Sequence, residues 1–288
     1  MVEPRPVASG ALYRVAAFTT VPTGGNPAGV WVGDVLPDPA TMQRIAAEVG
    51  YSETAFVAPA VGVRRTVRYY SPAGEVSFCG HATIAAGVVL GEADGDGTYR
   101  FETRAGVVPV TVRAGDGHRE ASLTSVVPTH APVSDSLVDE ALALLRWARR
   151  DLDASIPPAR AYAGAWHLIL AVVRSERLAA LEYDFDGLRD FMLREHLTTL
   201  QLVWRESPGV FHARNPFPVG GVVEDPATGA AAAALGGYLR DAGLLAAPAT
   251  VVIRQGEALG RPSRLVVDIP EAGGIVVTGA AVPIPAPS

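Results

Sequence analysis

Glu53 is a side chain whose type and setting could move a proton. It follows a helix stop at Gly50 and precedes the apolar run Ala55-Phe56-Val57, which puts it at the mouth of a strand. A partly buried carboxylate there can take a proton from one carbon and return it to another. Two polar turns stand elsewhere in the chain. One holds Cys79, Gly80 and His81 ahead of the apolar run 84–90; the other holds Asp225, Pro226, Thr228 and Gly229 ahead of the run 230–239. Helix starts offer free N–H groups and a partial positive charge, and Gly80 and Gly229 let that backbone approach a carboxylate closely. Two such starts facing each other across a cleft would hold a small anionic molecule. Plainer readings stand beside these. Glu53 reads equally as a surface glutamate, and His81 as a group satisfying a helix end. Cys79 reads as a small buried apolar side chain, and Asp225 as an N-cap followed by proline at the first helical position.

The runs behind both turns are apolar on every face, and a helix without a polar side has to be buried. His81 and Thr228 stand 147 positions apart (228 − 81), close to half of 288 residues. The approaches match as well: Arg68 and Pro72 repeat as Arg214 and Pro218, both Arg-x-x-x-Pro. This pattern predicts a duplicated domain, each copy built around one central helix. Strands are expected over 12–18, 28–32, 54–59 and 66–70, with a hairpin over 101–112 broken at Gly106. In the second half they are expected over 166–173, 200–205, 210–213, 251–254, 265–269 and 274–279. A helix opens at Asp38 and Pro39 and closes at Gly50; helical periodicity spans 134–150, and 185–193 reads as helix or turn. The N-terminal domain is set at 1–128 and the C-terminal domain at 129–273. The proline-bearing stretch 129–133 is the crossover, and a last strand within about 274–288 is able to return to the first domain. Strand-rich halves with one buried helix each are not βαβ units, so the class is α+β rather than a Rossmann fold.

Bulk composition narrows the function. Apolar content of 49% with 19% charged residues is globular. A net charge of −6 with no basic run argues against a nucleic-acid or membrane partner. No run of 18 apolar residues occurs, and residues 1–6 show no apolar stretch after a basic start, so a cytoplasmic protein is expected. The single cysteine excludes an internal disulfide and a Cys-rich metal site. His118, His130, His167, His196 and His212 are scattered, and no metal is expected.

Several stretches together resemble the PhzF family of phenazine-biosynthesis-like isomerases. They are Phe18-Thr19 with Gly25-Asn26-Pro27-Ala28-Gly29-Val30, Ser52-Glu53-Thr54-Ala55-Phe56-Val57, the run from Glu75 to Thr83, the run from Glu224 to Gly229, and Gln255-Gly256 with Gly260-Arg261-Pro262-Ser263. The resemblance implies a diaminopimelate-epimerase-like fold: two similar domains, each a twisted, mostly antiparallel sheet or barrel around a central buried helix, with the active site between them. It also implies a cofactor-free homodimer that moves a proton and a double bond on a small unsaturated carboxylic acid or amino acid, in the biosynthesis of a secondary metabolite. Glu53 corresponds to the family's acid/base glutamate. His81 would orient substrate or handle protons, and Asp225, counted with Glu53 and His81 as catalytic, would contact substrate. Ser52, Gly80, Thr228, Gly229 and Ala230 make up the substrate-binding set. Two departures point to a substrate unlike that of phenazine assembly: Ala230 stands where serine is common, and Ser77 where aspartate is frequent. Related racemases pair two cysteines as acid and base; here the second turn carries Pro226-Ala227, so that mechanism is impossible. Two alternatives stay open: a single-cysteine epimerase or dehydratase of the proline-racemase-like type using Cys79, and a non-catalytic metabolite-binding homologue.

Overall fold

The computed structural model describes residues 5–7, 9–115 and 117–285. The chain forms two compact units. One runs to Thr124 and takes up the chain again from Thr278; the other is Ser125–Val277. The sequence reading put these breaks at 128/129 and near 274. Residues 1–4, on which the leader reading rests, lie outside the described residues.

The first unit contains β1 (Arg5–Val7), β2 (Gly10–Ala17), β3 (Asn26–Gly33), α1 (Pro39–Val49), β4 (Glu53–Pro59), β5 (Arg64–Tyr70), β6 (Glu75–Val76), α2 (Gly80–Asp94), β7 (Gly97–Thr103), β8 (Gly106–Ala114) and β9 (Arg119–Thr124). Neighbouring strands run β2-β3-β4-β5-β7-β8-β9, and the C-terminal strand Val276–Pro283 pairs with both β9 and β2. Among the described residues this closes a barrel of eight strands. The β3–β4 and β5–β7 pairs are parallel, and parallel neighbours need a crossover longer than a hairpin. Helix α1 supplies the first. Asp38 Oδ1 accepts from the Thr41 N–H at 3.0 Å, Pro39 starts the helix and Gly50 ends it. Its apolar face, with Met42, Ile45, Ala46 and Val49, packs on Leu12, Trp31, Phe56 and Tyr70. Helix α2 supplies the second and fills the unit: every residue from His81 to Gly91 is buried. Sheet and helix come very close at Gly87, where a Cβ would sit 2.8 Å from Val110 Cγ1 and 3.0 Å from Ala121 Cβ.

The second unit contains β10 (Thr129–Pro132), α3 (Asp135–Leu144), β11 (Ala159–Tyr162), β12 (Trp166–Val172), α4 (Ser175–Ala179), α5 (Phe185–Arg194), β13 (Thr199–Ser207), β14 (Val210–Arg214), β15 (Pro216–Phe217), β16 (Val222–Glu224), α6 (Gly229–Asp241), β17 (Ala249–Gln255) and β18 (Ser263–Ile269); the C-terminal strand is β19. The sheet order is β10-β11-β12-β13-β14-β17-β18. One face of β12 and β13, with Leu168, Leu170, Val172, Leu200 and Leu202, is covered by Val138, Ala141 and Leu142 of α3 and Leu188, Phe191 and Met192 of α5. The other face receives α6, buried from Ala231 to Leu239. The architecture is α+β, two similar halves each built around an apolar helix.

Three expectations need correction. The stretch 129–133 is not a bare crossover: Thr129–Pro132 is a strand paired with β11. The helix expected over 134–150 stops at Leu144. Arg146 adopts φ 54° and the Trp147 N–H turns back to the Leu142 carbonyl, so Leu145 and Trp147 enter the core. Asp225 is not an N-cap: Thr228 holds that position, and α6 begins at Gly229.

Candidate active site

Strand β4 begins at Glu53, so its carboxylate stands at the strand mouth with the side chain 16% exposed. Across from it, the turn into α2 brings up Cys79 and His81. Glu53 Oε2 lies 3.5 Å from Cys79 Sγ and 3.4 Å from His81 Nε2. Cys79 Sγ is 3.3 Å from His81 Nδ1, and Ser52 Oγ is 3.3 Å from His81 Nε2. The turn is held from below. Thr83 Oγ1 donates to the Cys79 carbonyl at 2.7 Å and accepts from the buried Tyr69 hydroxyl at 2.7 Å. Burial pushes the Tyr69 hydroxyl well above its usual range, which keeps it protonated as a donor. Cys79 is buried, as a packing side chain would be, but it also touches both Glu53 and His81. The signal for this was the i, i+2 spacing of Cys79 and His81 across Gly80. Among the described residues, Glu53, Cys79 and His81 are the group whose metal-ligating atoms all lie within 4.8 Å of one another.

The turn into α6 is built from different bonds. Thr228 Oγ1 donates to Asp225 Oδ2 at 2.6 Å. Gln255 Nε2 donates to the Asp225 carbonyl at 2.7 Å and to Thr228 Oγ1 at 3.1 Å, while its Oε1 accepts from the Thr228 N–H at 3.3 Å. Gly256 follows at φ +78°, and a Cβ there would lie 2.3 Å from the Arg261 carbonyl and 2.7 Å from that of Pro226. Only glycine fits. Asp225 and Thr228 are half-buried, Gly229 is buried and Ala230 is half-buried.

Residues 15–286 match the phenazine biosynthesis-like (PhzC-PhzF) protein family. The chain belongs to the PhzF family of isomerases. It is 35% identical to a protein of Deinococcus radiodurans named an uncharacterised isomerase, covering 90% of this chain and 87% of that one. It is 31% identical to the trans-2,3-dihydro-3-hydroxyanthranilate isomerase of Pseudomonas fluorescens, covering 86% of each. The crystal structure of a PhzF-family phenazine biosynthesis protein from Bacillus anthracis superposes with a TM-score of 0.84 at 24% identity, covering 95% of this chain and 96% of that one.

This PhzF-family chain carries its duplication down to strand register. Arg68 pairs opposite Phe56, the fourth residue of β4; Arg214 pairs opposite Leu202, the fourth residue of β13. Each arginine then meets a glutamate shortly before the central helix, Arg68 with Glu75 and Arg214 with Glu224. By this register Thr199 is the counterpart of Glu53. The surroundings differ, however. Thr199 is sealed with His167, Gln201 and Asn215, all 0–1% exposed. Asn215 Nδ2 donates to Thr199 Oγ1 at 3.1 Å and to Gln201 Oε1 at 2.6 Å, and His167 Nδ1 lies 2.8 Å from Thr199 Oγ1. Among the described residues, His167 Nε2, Gln201 Nε2 and Asn215 Oδ1 have no hydrogen-bond partner. Burial, only partly offset by the bond to Thr199, pushes His167 down to about 3. The Asn215 carbonyl accepts from the Asp225 N–H at 3.0 Å, which links this cluster to the α6 turn. Sequence reading passed over it, because alternation in β12 and β13 shows which face a residue takes but not what lies across it.

Proposed function

We propose that this isomerase moves a proton, and with it a double bond, on a small carboxylic acid, with Glu53 as the group that carries the proton. The observation behind this is the Glu53 carboxylate at the mouth of β4, partly exposed, with His81 Nε2 at 3.4 Å. Glu53 takes a proton from an allylic carbon. The C–H electron pair becomes a new double bond, the old one opens toward its far carbon, and that carbon takes the proton back from the Glu53 carboxyl. Atoms and electrons balance, and the carboxylate is regenerated. His81, held in the first turn of a buried helix, orients the reacting group. The free N–H groups at the start of α2, reached past Ser52 and Gly80, bind the acid's carboxylate. Asp225 with Thr228, Gly229 and Ala230 contributes to substrate binding and not to the proton step. The small acid named for the P. fluorescens relative is the first substrate to try, and a role in secondary-metabolite biosynthesis belongs to the same reading. Turnover in heavy water tests it. One deuterium should enter a product carbon in the wild type, unless the carboxyl returns its proton before exchanging, in which case the labelled substrate should pass its own label across. Neither label pattern appearing would end the reading.

The contact between Cys79 Sγ and Glu53 Oε2 favours a second reading, in which the thiol is the base of an amino-acid epimerase or dehydratase. Cys79→Ala separates the two. Under the first, turnover stays within about threefold; under the second, it falls by about 10²–10⁴.

A further inference from the structure

We propose that Glu53, Cys79 and His81 form a site for a zinc-class divalent cation, with three protein ligands and an open fourth position. A tetrahedral ion about 2.3 Å from sulfur and about 2.0–2.1 Å from nitrogen and oxygen holds its ligand atoms about 3.3–3.6 Å apart. The edges here are 3.5 Å from Cys79 Sγ to Glu53 Oε2, 3.4 Å from Glu53 Oε2 to His81 Nε2, and 3.8 Å from Cys79 Sγ to His81 Nε2. The long edge exceeds the ideal by about 0.2 Å. Sγ also lies 3.3 Å from Nδ1 and Ser52 Oγ 3.3 Å from Nε2, so binding requires the imidazole to rotate about its Cβ–Cγ bond until Nε2, freed from Ser52, points at the ion. The 3.4 Å separation of Nε2 and Oε2 is long for a direct N–H···O bond, typically about 2.7–3.2 Å, and right for two ligands of one ion.

The donor set selects the metal. Thiolate with imidazole suits zinc and copper and disfavours magnesium and calcium. As the ion binds, the Zn–S bond forms and the thiol proton leaves to solvent. Thiolate and carboxylate together then cancel the two positive charges, and water fills the fourth position. The ligands sit on rigid supports: the first residue of β4, the first turn of α2, and a cysteine whose carbonyl is tied to Thr83. The 16% exposure of the Glu53 side chain gives an entry path. Sequence spacing hid the site, because Cys79 and His81 with a glutamate 26 positions earlier match no standard zinc pattern. Oε2 bound to a metal cannot accept a proton, so the cation would switch the isomerase off; that consequence alone rests on the proposed role of Glu53.

The test uses the full-length, metal-stripped protein. Zinc is titrated in competition with a chromophoric chelator, and cobalt is added separately to look for a thiolate-to-cobalt charge-transfer band. One zinc per chain is expected, with that band present. Cys79→Ser and His81→Ala, each checked for fold by circular dichroism, should bind zinc at least about 10–100-fold more weakly, the loss typical of an outer-shell partner and hence a floor for a true ligand. Should Cys79→Ser fail to fold, His81→Ala and the wild-type cobalt spectrum decide. No stoichiometric binding by the wild type at micromolar protein, binding undiminished in the folded variants, or cobalt without a thiolate band would each overturn the site. Tight zinc binding with label transfer undiminished in the loaded protein would keep the site and remove Glu53 as the catalyst.

Discussion

Glu53 and Asp225 are both acidic residues beside a helix start, and the structure gives them different surroundings. Glu53 Oε2 faces a thiol and an imidazole nitrogen within 3.5 Å. Asp225 Oδ2 is engaged at 2.6 Å by the Thr228 hydroxyl, which fixes its direction. Glu53→Gln keeps the shape and hydrogen-bonding reach but carries no proton to return. The variant should fold normally, bind substrate with unchanged KM and turn over at least about 10²-fold more slowly. Wild-type kcat in that variant would pass the role to His81 or Cys79. If Asp225 binds substrate as proposed, Asp225→Asn should instead raise KM more than it lowers kcat, leaving Glu53 untouched; steady-state kinetics with one substrate distinguish the two patterns.

At the scale of elements, each central helix is positioned by close approach to its sheet. Gly87→Ala shows which effect wins there. Alanine gains up to about 1 kcal/mol in helix propensity, but its methyl would meet Val110 Cγ1 at 2.8 Å and Ala121 Cβ at 3.0 Å, both on stiff side chains. Overpacking of this kind costs about 1–3 kcal/mol, so a net loss of about 1 kcal/mol is expected in urea unfolding. The cluster of His167 on β12, Thr199 and Gln201 on β13 and Asn215 just after β14 makes a pH prediction. His167 is held neutral in the folded chain, pushed from the ordinary 6.5 to about 3 by burial. Below pH about 6.5 the unfolded chain binds a proton that the folded chain refuses, so the stabilisation, complete above that pH, is lost progressively as pH falls toward 3. The slope from this one group approaches about 1.4 kcal/mol per pH unit. Thermal melts of the wild type and His167→Gln between pH 7 and 4 should diverge above pH 6 and draw together as pH falls. Parallel curves would mean that His167 does not set the slope.

At the scale of the whole molecule, no helix among the described residues is long and apolar enough to cross a membrane. Val61, Val63 and Val107 are exposed on the first unit, and we propose that the chain forms a homodimer. Light scattering at micromolar concentration should give about twice the 30.0 kDa chain mass; the mass of a single chain would count against it. The two buried helices and the α1 cap at Asp38 were legible in the residues themselves, whereas the candidate status of Glu53, His81 and Asp225 rested on the family resemblance. An apolar run with no polar face has one physical fate, and a cap is a contact within three residues, so local pattern suffices for both. The α+β class followed from strand-rich halves with one buried helix each, and the sheet-around-a-helix fold from the family resemblance. What local pattern does not contain is long-range register. Helix α3 ends early because Leu145 and Trp147 gain more in a distant core than in two further helical turns. Thr199 becomes the sealed counterpart of Glu53 only once β13 and β14 pair, and Cys79 becomes a neighbour of Glu53 only once β4 and the α2 turn close across 26 residues. Sequence determined which groups have the chemistry. Tertiary structure decided which of them meet, because meeting depends on strand pairings whose partners lie tens of residues away.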